Sequence, residues 1–138
     1  MPIDMKKTTK DLYAAINAHD IEKALSFHTD DVSYEEVLAD GTVRHSKEEL
    51  RTHLMELVAG IPDFKLKLTS LFAFGNKQCE ECVISGTHTG TFRGMPPTGK
   101  SISFRTAVVR ELRRGKTSRV SFYYDSAIMM RQLGILQK

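Results

Sequence analysis

The strongest constraint on this chain is a change of hydrophobic period near Asp63. Before that point apolar residues recur at helical spacing; after it they alternate with polar ones. Leu12, Ala15, Ile16 and Ala18 mark a first helix over residues 7–19, with Asp4 or Thr8 placed to cap it. Asn17-Ala18-His19-Asp20 breaks that helix, and Ile21, Ala24, Leu25 and His28 line one side of a short second one. Residues 31–38 read as a strand closed by the turn pair Asp40-Gly41. Ser46 followed by Glu49 makes a capping box for a third helix, with Leu50, Leu54, Leu57 and Val58 as its buried stripe. Gly60-Ile61-Pro62 stops it. Phe64, Leu66 and Leu68 then alternate with Lys65, Lys67 and Thr69, and residues 78–92, 101–112 and 117–124 follow as strands. Turns fall at Gly75-Asn76, across residues 94–99 and across residues 113–116, and residues 125–133 close as a helical turn. Helices first and long antiparallel strands afterwards predict an α+β fold with a strongly curved sheet wrapped around the helices.

A chain of 138 residues forms one domain, here residues 1–138. Its net charge of +3 is too small to indicate a nucleic-acid partner. No apolar run approaches the roughly 20 residues of a membrane span. Met1-Pro2-Ile3-Asp4 opens no apolar signal region, so the expectation is a cytoplasmic protein. Cys79-Glu80-Glu81-Cys82 has the spacing of a redox or half-zinc motif, yet it lies in a strand, where alternation puts the two sulfurs on opposite faces. Two reduced thiols are expected. His19, His28, His45 and His53 are scattered without metal spacing, so neither a metal nor another cofactor is expected.

The run from Gly86 to Lys100, Gly-Thr-His-Thr-Gly-Thr-Phe-Arg-Gly-Met-Pro-Pro-Thr-Gly-Lys, resembles the signature of the SnoaL-like polyketide cyclases, or ester cyclases. Asp125 followed by Gln132-Leu133-Gly134 resembles the carboxyl-terminal motif of the same family, and Asn17 to Asp20, Asp30-Asp31-Val32 and Pro62-Asp63-Phe64 also fit it. The resemblance implies the cone-shaped fold of the nuclear transport factor 2-like superfamily, a homodimer, and a pocket inside the cone. It also implies that Asp125 is the acid/base residue. That superfamily hosts isomerases, dehydratases, cyclases and binders, so the fold alone does not name a reaction.

The residues themselves give Asp125 two roles. It follows Phe122-Tyr123-Tyr124, where desolvation would raise a carboxyl pKa towards neutrality, and it precedes Ser126-Ala127-Ile128-Met129 as an N-cap. An even-length loop at Arg114-Gly115 places Asp125 opposite Phe104, Tyr123 opposite Thr106, Ser121 opposite Val108 and Arg119 opposite Arg110, all on one face. An odd-length loop brings Arg105 to that wall instead. His88 could hold Asp125 or a substrate carbonyl, and Tyr34, Tyr13 and Leu54 could close the cone. Met129-Met130 offers an adaptable apolar lining. Two departures from the family stand out: Ser121 replaces a common Trp, which implies a roomier pocket, and Arg119 replaces a common Glu. If Arg119 faces Arg110, either Glu81 or Glu35 neutralises the pair, or the pair is solvent-exposed, or it binds an anionic group.

The expected function is cofactor-independent acid/base catalysis, of cyclase, isomerase or lyase type, on a small hydrophobic carbonyl compound. Asp125 and His88 are the catalytic candidates, and Tyr34, Phe104, Thr106, Arg110, Ser121 and Tyr123 the substrate-binding ones. The alternative is a non-catalytic ligand-binding or dimeric scaffold module of the same fold.

Overall fold

The computed structural model describes residues 4–38 and 41–135, with the side chain of Leu38 left out. Helix α1 (Met5–Asn17) starts where the Asp4 carboxylate accepts a hydrogen bond from the Lys7 amide at 3.1 Å. Helix α2 (Ile21–Ser26) starts in the same way at Asp20. Strands β1 (His28–Leu38) and β2 (Gly41–His45) precede helix α3 (Lys47–Gly60), which begins at the expected Ser46–Glu49 capping box. Four strands follow: β3 (Lys65–Phe74), β4 (Lys77–Thr87), β5 (Ser101–Arg113) and β6 (Lys116–Tyr123). Helix α4 (Ser126–Gln132) ends the series. Among the described residues no helix is long and apolar enough to cross a membrane.

The six strands form one curved, unclosed sheet in the order β2-β1-β6-β5-β4-β3, with the helices against one face. All neighbours are antiparallel except β1 and β6, which pair parallel. Three expectations need correcting. The second helix ends at Ser26, so His28 opens β1. Strand β2 was missed because its polar residues lack a clear alternation; of the expected turn Asp40-Gly41, Asp40 lies outside the described residues. Strand β4 ends at Thr87 rather than Phe92, because the chain leaves the sheet to lie on the end of α3. There the Gly90 amide donates to the Gly60 carbonyl at 3.0 Å. A Cβ on Gly90 would sit 2.0 Å from the Ala59 carbonyl oxygen, so the approach requires glycine.

Alternation decides which side chains meet the helices. On β5 the inward set is Ile102, Phe104, Thr106, Val108 and Arg110, all buried. They join Ile61, Phe64, Leu66, Cys82, Val120 and Leu133 around the inside of the sheet. Cys82 points inward and Cys79 does not, and both are free thiols, as alternation required.

The β5–β6 hairpin begins in the even register expected from its turn, with Arg113 opposite Lys116. A bulge then intervenes: Leu112 pairs with Thr117 but Glu111 pairs with Arg119, leaving Ser118 as the extra residue. One inserted residue swaps the faces of everything beyond it. Tyr123 therefore lies opposite Ala107, Ser121 opposite Val109, and Val120 opposite Arg110. Tyr123 and Ser121 of the expected wall face away from the helices, Val120 and Phe122 take their place, and Asp125 lies beyond the end of β6.

Candidate active site

The curved sheet and helices enclose a cavity of about 140 Å³. Its wall is mostly aliphatic and aromatic, from Leu12, Leu54, Leu57, Ile61, Phe64, Ile84, Phe104, Phe122 and Met129 among others. The titratable groups on that wall are few. Tyr34, Glu36, His53, Arg93 and Tyr124 form one set, while His28 and Arg110 lie by the start of β1. Burial and the nearby Arg110 charge lower the His28 pKa to about 4, so its ring is neutral at pH 7.

Glu36 organises the first set. It is only 4% exposed on β1, and four side chains from separate parts of the chain converge on it. His45 at the end of β2 places Nε2 3.0 Å from Oε1, and His53 on α3 places Nε2 2.9 Å from the same oxygen. The Tyr124 hydroxyl donates to Oε2 at 3.0 Å, and Arg93 brings Nη2 to 3.8 Å from Oε1. Burial alone would raise this carboxyl pKa, but the His53 hydrogen bond, the Arg93 charge and Tyr124 outweigh it and hold it at about 2. Glu36 is thus an ionised carboxylate at neutral pH. Burial, and next the Glu36 charge, push the Tyr124 phenol up to about 12 and raise Tyr34 as well, so both remain neutral donors. The Tyr34 hydroxyl makes no hydrogen bond to any described residue, although its ring packs 5.3 Å from Phe122 and 5.6 Å from His53.

Among the described residues, one group of three has ligand atoms close enough for a metal ion: Glu36, His45 and His53. The two Nε2 atoms lie 3.4 Å apart. Bonds of about 2.1 Å give ligand–ligand edges of roughly 3.0–3.4 Å, which these spacings match. The expectation of scattered histidines without metal spacing is corrected here, since His45 and His53 converge through the β2–α3 connection. Proton positions argue against a cation all the same. Arg93 Nη2 lies 2.8 Å from His53 Nδ1, and a guanidinium can only donate. Nδ1 therefore supplies a lone pair, and Nε2 carries the hydrogen that points at Glu36. A metal on Nε2 would have to displace that proton and, with Arg93 still donating to Nδ1, leave an imidazolate, so the Arg93 bond disfavours a cation here. His45 lies between two carboxylates, with Nε2 3.0 Å from Glu36 Oε1 and Nδ1 3.1 Å from Glu49 Oε2.

The residues singled out in the sequence divide unevenly. Tyr34, Phe104 and Arg110 line the cavity, as do Leu54 and Met129. Asp125 does not: it is exposed, and its Oδ1 accepts the Ala127 amide at 2.9 Å as the cap of α4. His88 is fully buried outside the cavity wall, with Nδ1 3.0 Å from Thr98 Oγ1. Thr106 points inward, but its hydroxyl meets Cys82 Sγ at 2.8 Å beneath the wall. Ser121 lies on the opposite face and donates to Glu35 at 2.8 Å, and Tyr123 is exposed there. Ser in place of Trp therefore leaves the cavity unchanged.

The two arginines do not face each other. Arg119 pairs with Glu35 at 3.2 Å and with Glu111 at 3.7 Å. Arg110 donates to both oxygens of buried Glu80, at 2.7 and 3.0 Å, and to Thr117 at 3.0 Å. Tyr13 and Gln78 donate to the same carboxylate at 2.9 and 2.8 Å. Desolvation opposes the Glu80 charge, but Arg110 and these donors keep its pKa below the usual value. Glu36, His53 and Arg93 do not stand out in the sequence as one site because they come from three separate parts of the chain. The Gly-Thr-His-Thr-Gly string did hold the right region, with Arg93 five residues beyond His88.

The family model for SnoaL-like polyketide cyclases matches residues 7–133. A search of curated proteins returns no match. Among solved structures, AclR from Streptomyces galilaeus, provisionally assigned as a hydroxylase, superposes with a TM-score of 0.85 at 20% identity, covering 98% of this chain and 87% of that one. IdmH from Streptomyces antibioticus, provisionally assigned as a polyketide cyclase, gives a TM-score of 0.81 at 23% identity, covering 96% of this chain and 99% of that one. A protein of ketosteroid isomerase-like fold from Catenulispora acidiphila, solved with trimethylamine, gives 0.77 at 17% identity, covering 94% and 93%. At these identities the structures speak for the fold, and the match over residues 7–133 speaks for descent: the chain belongs to the SnoaL-like polyketide cyclase family.

Proposed function

We propose that this protein is a cofactor-independent acid/base enzyme of cyclase, isomerase or lyase type, acting on a small hydrophobic carbonyl compound held in the cavity. One observation carries this reading: the mostly apolar wall gathers an ionised carboxylate, an imidazole, a guanidinium and two neutral phenols around His53. A carbonyl oxygen can accept from the Tyr34 hydroxyl, which has no partner among the described residues, and in this reading the imidazole of His53 exchanges the proton on the adjacent carbon. Glu36 orients that imidazole and stabilises its protonated form, which a carboxylate beside a histidine does well in a water-poor setting. Asp125, tied to a helix end, has no part in the step.

A second reading, a non-catalytic binder of apolar molecules, is favoured by a single fact: both nitrogens of His53 are engaged in the ligand-free protein. The two separate in deuterium oxide. The enzyme reading expects the wild-type protein to accelerate exchange of the α-protons of an apolar ketone such as 2-tetralone, followed by NMR. Binding with no acceleration over buffer for any ketone of that size sinks it.

The proposed assembly is a homodimer in the cytoplasm. The sheet's outer face exposes Phe72 on β3, Val109 on β5 and Tyr123 on β6, apolar groups that a second copy would cover.

A further inference from the structure

We propose that Arg93 masks the base of this site in the ligand-free protein, and that an oxyanion or carbonyl oxygen entering the cavity draws the guanidinium off His53 and so unmasks it. The inference rests on the acid/base reading above and adds a residue and a ligand feature to it.

Four observations support it. The Arg93 guanidinium donates to His53 Nδ1 at 2.8 Å, the one nitrogen of that ring not directed at Glu36. While this bond exists, the lone pair that would take a proton is occupied. Second, Arg93 lines the cavity and its side chain is 38% exposed, so it can exchange partners without dragging a packed group along. Its other acidic neighbours are loose, with Glu56 Oε2 3.6 Å from Nε and Glu36 Oε1 3.8 Å from Nη2. Third, its backbone is held in place. Phe92 and Met95 exchange two hydrogen bonds, 3.0 and 2.8 Å, across a turn in which Arg93 and Gly94 have φ of 48° and 79°. Positive φ at both central positions marks a tight hairpin turn that an arginine adopts only at a cost. Phe92 packs against Gly60 of α3, the helix that also bears His53, where a Cβ would come within 2.5 Å of the Phe92 Cβ. The guanidinium also lies 5.2 Å from the centre of the Phe92 ring. Fourth, the Tyr34 hydroxyl, the donor that would share such an oxygen with Arg93, has no partner among the described residues, and its ring lies 5.6 Å from the His53 ring on the same cavity wall.

The ligand feature is therefore an oxygen bearing full or developing negative charge, set on an apolar body. Apolar molecules without such an oxygen would leave the mask in place. The device makes proton abstraction conditional on a group that can stabilise the resulting enolate.

The test uses 4-nitrophenolate as the probe, with ¹⁵N-histidine-labelled protein at pH 7.5. In the free wild type, His53 is expected as the Nε2–H form with a hydrogen-bonded Nδ1. Arg93→Met should shift that Nδ1 resonance to its unbonded position without moving His28. Saturating probe should drive the wild-type resonance away from its masked position, and Arg93→Met should bind the probe roughly tenfold or more weakly, as expected for loss of a charge-assisted bond. Arg93→Lys, on the same turn, should recover part of that affinity. If Nδ1 of the free wild type is protonated, or matches Arg93→Met, the mask does not exist. If both variants bind the probe as tightly as the wild type, Arg93 does not receive the oxygen. If the probe fails to bind the wild type at all, no oxyanion unmasks the base and that half of the inference falls, while the ligand-free comparison still decides the mask.

Discussion

Two carboxylates near the cone, Glu36 and Asp125, have opposite environments, and their variants should behave accordingly. Asp125 accepts one amide bond at an exposed helix end, so Asp125→Ala should cost about 1 kcal/mol of stability, the usual value of an N-cap. Urea denaturation measures it, and probe binding in the cavity should be unchanged. Glu36 accepts from three side chains while nearly fully buried. Its folded pKa of about 2 lies below the ordinary carboxyl value of 4.5, so its contribution to stability is complete above about pH 4.5 and disappears as the pH falls towards 2. Because the cluster opens onto a cavity, that contribution is about 2 kcal/mol. Glu36→Gln should remove this part of the pH dependence, which stability curves between pH 3 and 7 would show. Glu80 poses a different question. Glu80→Ala strands a buried guanidinium and should cost about 3–5 kcal/mol, and replacing Glu80 and Arg110 together by Leu and Met should recover much of it.

At the level of elements, local signals were legible and long-range ones were not. The Ser46–Glu49 capping box and the period-two strands depend on near neighbours, and the structure has them where the residues put them. The bulge at Ser118 left no local trace, yet it reversed the face of Ser121 and Tyr123 and turned the expected pocket wall outward. The resemblance gave the cone, but the cluster around Glu36 depends on how β1, β2, α3 and the turn at Arg93 meet, which no single segment encodes. The contact of α3 with that turn is the element most exposed to substitution. Gly60→Ala would drive a methyl group into Phe92, and overpacking of this kind costs about 1–3 kcal/mol. Thermal denaturation should show the loss, and the His53 Nδ1 resonance should move with it, because both partners of the Arg93 bond shift.

The whole molecule should be sensitive to acid in two stages. His28 is neutral when folded, with a pKa of about 4 against 6.5, so the unfolded chain binds more protons and stability declines as the pH falls from about 6.5 towards 4. Glu36 extends the decline below about pH 4.5. His28→Phe should flatten the upper stage and leave the lower one, as chemical denaturation across that pH range would record. Everything functional, however, depends on where the proton-exchanging group of the cone resides. The direct measurement is the α-proton exchange rate of 2-tetralone with the wild type, His53→Gln and Asp125→Asn. The account predicts a loss of roughly 100-fold or more for His53→Gln, within the usual range for a general base, and a wild-type rate for Asp125→Asn. Exchange that survives in His53→Gln and vanishes in Asp125→Asn would contradict it.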